Sequence, residues 1–276
     1  MGHAALATTT AFILCHLTGV HAQYCAKLTD PARKARVDSV MQTFVEDSCC
    51  HTTLAKCLNE RKPCPIALQL ANFACFLGIL DRDHNTIRDE LKTRHAFMHE
   101  TKTVTLDPGM FPAAGNPDAP VSIVAYVNAT CPLCKRVTVP LYQAVTSGPL
   151  RGRARLYVLP FSPITANAGY VAANRLGRFW EFFLALAEAR GRINDDVLVT
   201  TAEYLGMPGG KFKPLLFDKN VESTLEKNYA RAKRIGVSST PTVFINGKRY
   251  TSHKDPEWIA DAVLYELERL GRGAGK

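Results

Sequence analysis

The stretch Val121–Cys134 reads VSIVAYVNATCPLC, and its reading decides the fold. Val121 to Val127 is a β-branched, apolar run of the kind that forms a buried strand. The segment ends on Cys131-Pro132-Leu133-Cys134, with proline where a helix favours it, at the first helical position. A helix is expected from Pro132 to about Val145. A strand thus delivers Cys131 to a helix start, and Cys134 follows three residues later. That spacing puts both sulfurs on one helix face, close enough to bond. The unpaired N–H groups and the dipole of a helix start favour a thiolate at Cys131. A lowered thiol pKa makes Cys131 an available nucleophile and a good leaving group. Cys134, one turn in and more buried, would resolve a mixed disulfide.

Other uses of a CxxC pair fit less well. A zinc knuckle needs a second ligand pair, and no CxxC or HxxxH follows downstream. Haem attachment needs histidine after the second cysteine, where Lys135 stands. A structural disulfide has no need of the strand-to-helix placement. Redox chemistry is the reading these residues carry. Downstream, Ala154–Leu159 reads as a strand, and Thr165–Ile235 as helical, broken at Gly206-Met207-Pro208-Gly209-Gly210. Gly236–Tyr250 reads GVSSTPTVFINGKRY: Thr240-Pro241, a strand at Thr242–Ile245, an Asn246-Gly247 hairpin turn, and a return strand at Arg249–Thr251. Pro256–Leu270 closes as a helix with Trp258, Ile259, Ala262, Val263, Tyr265 and Leu267 available to pack. Upstream, Thr103–Leu106 alternates like a short strand, and Asp107–Pro120 is rich in turn residues.

In this order, the dithiol and the Thr-Pro loop resemble the thioredoxin superfamily, within it the periplasmic Dsb-type branch (DsbA, DsbC and DsbG). The resemblance covers about residues 101–276. It implies an α/β, thioredoxin-like fold with a helical insertion at about 165–235. The 106 residues between Cys134 and Pro241 fit that insertion, and Leu176–Glu181, LGRFWE, is similar to a stretch within it. On periodicity alone, Phe179, Trp180, Phe182 and Phe183 are simply core. The resemblance further implies that Cys131 and Cys134 are catalytic. It also implies that Thr240 and a cis Pro241 lie across from them, offering backbone to an extended substrate. Three departures bear on the chemistry. Leu133 stands where strongly oxidising relatives carry histidine, and it cannot donate a hydrogen bond to a thiolate. Ala125 stands where many relatives have a buried acid. Thr130 and Thr240 look more like the isomerase branch.

The expected function is an exported thiol–disulfide oxidoreductase, exchanging disulfides with protein substrates through the CxxC dithiol. An isomerase or reductase of the same fold is the alternative. From another class, a metal- or haem-handling chaperone using the cysteine-rich segment is the rival. Exchange needs no dissociable cofactor, since the electrons sit in the dithiol, and no metal ligand set is assigned. The partners expected are exported proteins with thiols or disulfides, and a redox partner to reset the pair.

The rest of the chain fixes the setting. Residues 1–22 read as a secretory signal, apolar from Ala4 to Val20 and ending Val20-His21-Ala22, with an uncleaved anchor as the alternative. Cleavage would remove Cys15 and leave eight of the nine cysteines, an even number suited to a periplasmic or otherwise exported, oxidising compartment. No later segment approaches a membrane span, so no stable insertion is expected after cleavage. The net charge of +9 comes from scattered residues without a recognition motif, and no nucleic-acid partner is expected. Residues 23–100 read as a cysteine-rich helical domain. Helical periods run over Ala32–Val45 and Ile66–Leu80, and the period continues through Leu77, Leu80, Ile87, Leu91 and Met98. This last run packs either against its own domain or in self-association. Cys25, Cys49, Cys50, Cys57, Cys64 and Cys75 are candidates for structural disulfides, in any of fifteen pairings. Cys50, Cys57 and Cys64 are seven apart, so a continuous helix would align them. A second redox or soft-metal centre at Cys49, Cys50 and His51 is the alternative.

Overall fold

The computed structural model describes residues 23–60 and 64–273. The expected signal, residues 1–22, lies outside them, as does Cys15. Chain contacts divide the protein into two units, Met1–His99 and Glu100–Lys276.

The first unit contains α1 (Gln23–Lys27), α2 (Pro31–Thr43), β1 (Val45–Glu46), β2 (Thr52–Thr53), α3 (Leu54–Leu58), α4 (Pro65–Ile79) and α5 (His84–Met98). Asp30 caps α2 by accepting the N–H of Arg33, and Pro31 opens it. Val37, Val40, Leu54, Leu70, Phe73, Leu77, Ile87 and Leu91 are buried and form its core. Disulfides join Cys25 to Cys75, Cys49 to Cys64 and Cys50 to Cys57. The continuous helix through Cys50, Cys57 and Cys64 does not form. Cys50 lies in a turn before His51 at φ 52°, Cys57 in α3, and Cys64 caps α4. A chain reversal, not a shared helix face, gathers these sulfurs. The period from Leu77 to Met98 is also interrupted. Helix α4 ends at Ile79, Asp81 takes φ 56°, and Asp83 caps α5 through the N–H groups of Asn85 and Thr86. The period survives the break because Leu77, Ile87, Leu91 and Met98 are all buried, whereas Leu80, in the break, is 42% exposed.

The second unit contains β3 (Ala114–Gly115), β4 (Val121–Val127), α6 (Pro132–Thr146), β5 (Ala154–Pro160), α7 (Thr165–Arg175), α8 (Phe179–Glu188), α9 (Asp195–Tyr204), α10 (Gly209–Leu215), α11 (Lys219–Arg234), β6 (Thr242–Ile245), β7 (Lys248–Arg249) and α12 (Pro256–Gly273). The sheet order is β3-β5-β4-β6-β7. Central β4 runs parallel to β5, with Val127 opposite Pro160, and antiparallel to β6, with Tyr126 opposite Thr242. All of β4 except Ser122 is buried, which explains its unbroken apolar run. Helices α6 and α12 pack on each other, α6 against β5 and α12 against β4, while α11 lies on β5 and α7. Asn246 and Gly247, both at positive φ, turn β6 into β7. Asn246 also accepts the N–H of Ser122 at 2.8 Å, anchoring the start of β4. A Cβ on Gly247 would sit 2.6 Å from the Val104 carbonyl. That close approach is all that comes of the strand expected at Thr103–Leu106. Val104 donates one bond to Gly247, at 3.0 Å, and no ladder follows. The return strand is Lys248–Arg249 rather than Arg249–Thr251, because the two-residue turn starts pairing at once.

Candidate functional site

The end of β4 and the start of α6 carry the dithiol. After Val127 the chain leaves the sheet through Asn128, Ala129 and Thr130, and Cys131 becomes the N-cap of α6 with Pro132 next. Cys131 and Cys134 are disulfide-bonded, with Cα atoms 5.3 Å apart. Cys134 is buried at 2% exposure and Cys131 is half-buried, so the first sulfur faces outward and the second the core. The Cys131 sulfur accepts the N–H of Cys134 at 3.1 Å. That bond and the helix start would hold negative charge on Cys131 once the disulfide opens.

The loop before β6 lies against the same sulfur. The Thr240–Pro241 peptide is cis, and the Thr240 carbonyl oxygen is 3.8 Å from Cys131 Sγ. Pro241 is buried and Thr240 half-buried. The pairing of Tyr126 with Thr242 accounts for this meeting, because β4 and β6 are antiparallel neighbours. The end of one strand therefore lies beside the start of the other. Ala125 is fully buried in β4, and Leu133 is half-buried between the cysteines.

Three polar side chains whose roles the sequence reading does not assign, Asn128, Ser162 and Asn167, brace the approach to Cys131, and the Asn128 amide donates to Ser162 Oγ at 3.2 Å. Asn167, on α7 and fully buried, accepts the N–H of Ala129 at 2.8 Å. Its amide donates to Asn128 Oδ1 at 2.8 Å and to the Ser162 carbonyl at 2.7 Å. Asn128 Oδ1 also accepts the Ser162 N–H at 3.0 Å, and the Asn128 carbonyl accepts the N–H of Cys131 at 3.0 Å. Asn128 stands in the motif itself and reads there as an ordinary loop residue. Asn167 carries no local signal.

On the outer side of the dithiol helix, Lys135 donates to the Leu186 carbonyl in the last turn of α8, at 2.9 Å. Burial lowers the Lys135 ammonium pKa. Beside it lies a largely apolar groove of about 630 Å³, lined among others by Pro132, Val139, Tyr142, Leu184 and Ala187. Phe179, Phe182 and Phe183 are buried, and Trp180 packs on Tyr142 with ring centroids 5.0 Å apart.

Of the early cysteines, Cys57 and Cys75 are buried, Cys50 and Cys64 half-buried, and Cys49 exposed. His51 is exposed beside them. No helix among the described residues is long and apolar enough to cross a membrane.

Comparisons with known proteins match a little over half of the chain. The chain is 24% identical over 170 residues to a probable disulfide bond formation protein D of Bacillus cereus, covering 56% of this chain and 78% of that protein. It is 27% identical over 165 residues to the Na(+)/H(+) antiporter NhaA 1 of Salinispora arenicola, covering 58% of this chain and 25% of that one. The chain thus spans about a quarter of the length of such curated relatives. Oxidised BdbD from Bacillus subtilis superposes with a TM-score of 0.51 at 21% identity, over 61% of this chain and all of that one. This likeness shows a shared, thioredoxin-like fold. A family model described as thioredoxin matches residues 108–263, from ahead of β4 into α12 and across both the dithiol and the cis-proline loop, and the chain belongs to the thioredoxin family.

Proposed function

We propose that the protein is an exported thiol–disulfide oxidoreductase that exchanges disulfides with protein clients through Cys131 and Cys134. The observation that carries this reading is the outward-facing Cys131 sulfur, capping α6 and lying 3.8 Å from the Thr240 carbonyl. A client thiolate attacks Cys131 Sγ, the Cys131–Cys134 bond breaks, and Cys134 leaves as a thiolate that takes up a proton. With Ala125 in β4, solvent supplies that proton. A second client thiolate then attacks the client's own sulfur in the mixed disulfide, and Cys131 leaves. The helix start and the N–H of Cys134 stabilise this leaving thiolate. The client gains a disulfide and the protein holds two thiols, which a separate redox partner reoxidises. Run backwards, the same steps reduce a client, so the reduction potential of the pair sets the direction. No dissociable cofactor enters.

The backbone of Thr240 would pair with an extended client strand beside Cys131, and the apolar groove along α6 offers room for its side chains. Export is supported by cysteine usage. The eight cysteines among the described residues are joined in four disulfides, the pattern of an oxidising compartment. The similarity to a disulfide bond formation protein points the same way.

The test is trapping. Cys134→Ala should accumulate mixed disulfides with client proteins, resolved on non-reducing gels and released by reductant. Cys131→Ala should accumulate none. Equal trapping by both variants would overturn the assignment of roles.

A further inference from the structure

Glu46, in the first unit, is fully buried and surrounded by donors. Its Oε2 accepts the N–H groups of Cys49 at 2.9 Å and Cys50 at 3.1 Å, and its Oε1 that of Ser48 at 3.1 Å. The Ser48 hydroxyl donates to the same Oε1. Four donors from Ser48, Cys49 and Cys50 thus fix the position of this carboxylate inside the unit.

Two imidazoles, His95 in the last turn of α5 and His99 at its C-cap, approach that carboxylate. His95 and His99 are four residues apart, which places them on one side of the helix end. His95 Nε2 is 3.3 Å from Glu46 Oε1, and the two imidazole centroids are 4.5 Å apart. One ligand atom from each of Glu46, His95 and His99 lies within 4.8 Å of the others. A tetrahedral ion with bonds of about 2.0–2.1 Å spaces its ligand atoms about 3.3 Å apart. The His95–Glu46 edge already has that length, and a His99 ring nitrogen lies within 4.8 Å of both. Asp47 Oδ1 lies 3.5 Å from His95 Nε2, a further oxygen at the rim. A groove of about 640 Å³, bordered by Phe44, Asp47 and Arg88, opens on His95 and gives an entry path. Two imidazole nitrogens and a carboxylate oxygen, with a position left open, suit a borderline-soft divalent ion.

We propose that Glu46, His95 and His99 bind one divalent transition-metal ion of the zinc class, with all three disulfides of the first unit intact. The site is independent of Cys131 and of the exchange reaction. Cysteine chemistry would compete only after reduction, because Cys49, Cys50 and Cys64 are grouped about the same carboxylate.

The experiment uses the full chain, oxidised and free of any added histidine tag, titrated calorimetrically with Zn²⁺. The expected result is one ion per chain. His99→Gln and His95→Gln should each weaken binding by at least about tenfold, the cost already incurred when only a supporting partner of a ligand is lost. The thermal midpoint of each variant, measured without metal, separates lost binding from lost folding. Co²⁺ in place of Zn²⁺ should give weak visible bands without the intense near-ultraviolet absorption of cobalt–thiolate bonds. Absence of binding to the oxidised chain would overturn the site, as would affinity unchanged in both histidine variants. Binding that appears only after reduction, with thiolate absorption, would assign the ion to the cysteines and overturn it equally.

Discussion

At the scale of single residues, the two sulfurs of the dithiol differ by environment rather than chemistry. Cys131 is half-buried at a helix cap, whereas Cys134 is buried one turn in. Leu133 between them adds no donor. Replacing it with histidine should place a donor near the Cys131 sulfur and stabilise the thiolate. Stabilising the reduced form makes the pair more oxidising. Leu133→His should therefore shift the glutathione redox equilibrium toward the dithiol, and an unchanged equilibrium would refute the argument. Asn167→Ala leaves the buried Ala129 N–H without its acceptor, while the Asn128 amide oxygen keeps the Ser162 N–H. A buried group so orphaned costs about 1–3 kcal/mol, measurable by denaturant unfolding. The contrast shows what the sequence could convey. The placement of Cys131 and Cys134 at a helix start was legible because it lies in their identity and spacing. Asn167 was not, because its role depends on contacts made 38 and 39 residues away along the chain.

At the scale of elements, the strands and helices around the dithiol followed from apolar runs, prolines and the Asn246-Gly247 turn. What escaped were elements defined by partners. Ala114–Gly115 becomes β3 only because β5 pairs with it, and Thr103–Leu106 stays out of the sheet because only Val104 reaches the hairpin. One tie between elements is ionic. Lys248 in β7 and Glu266 in α12 form a buried pair at 3.0 Å, with Arg269 on the other carboxylate oxygen. Burial raises the Glu266 carboxyl, but its bonds to Arg269 and Lys248 outweigh it, leaving it below its ordinary value of 4.5. Folding thus favours the ionised form. This stability is fully present above the unfolded value and is lost as pH falls through the folded one. Glu266→Gln should cut stability at neutral pH, where it leaves Lys248 buried without its anion. It should also flatten the fall in stability below about pH 4.5. A parallel acid limb in parent and variant would show that this carboxylate does not govern it.

At the scale of the whole molecule, the two units keep their cysteines in different ways. In the second unit the disulfide sits at a helix start with one sulfur turned outward. In the first, the Cys25–Cys75 bond closes 50 residues between α1 and α4. A closed loop of that length restricts the unfolded chain by about 4 kcal/mol on the chain-entropy estimate. Graded reductant followed by thiol-specific mass labelling should therefore open Cys131–Cys134 before Cys25–Cys75. Simultaneous opening would deny the division of labour. Six cysteines announced such staples, but their pairing depended on the turn at His51 and on the breaks between α1, α2, α3 and α4, which leave no period to read. One further consequence comes from the brace of Asn128, Ser162 and Asn167. None of these side chains gains or loses a proton across the pH range in which proteins stay folded. The frame around Cys131 is thus indifferent to acidity. The pH dependence of the proposed exchange would therefore be set by groups outside this brace, the Cys131 sulfur and the neighbouring Lys135 among them.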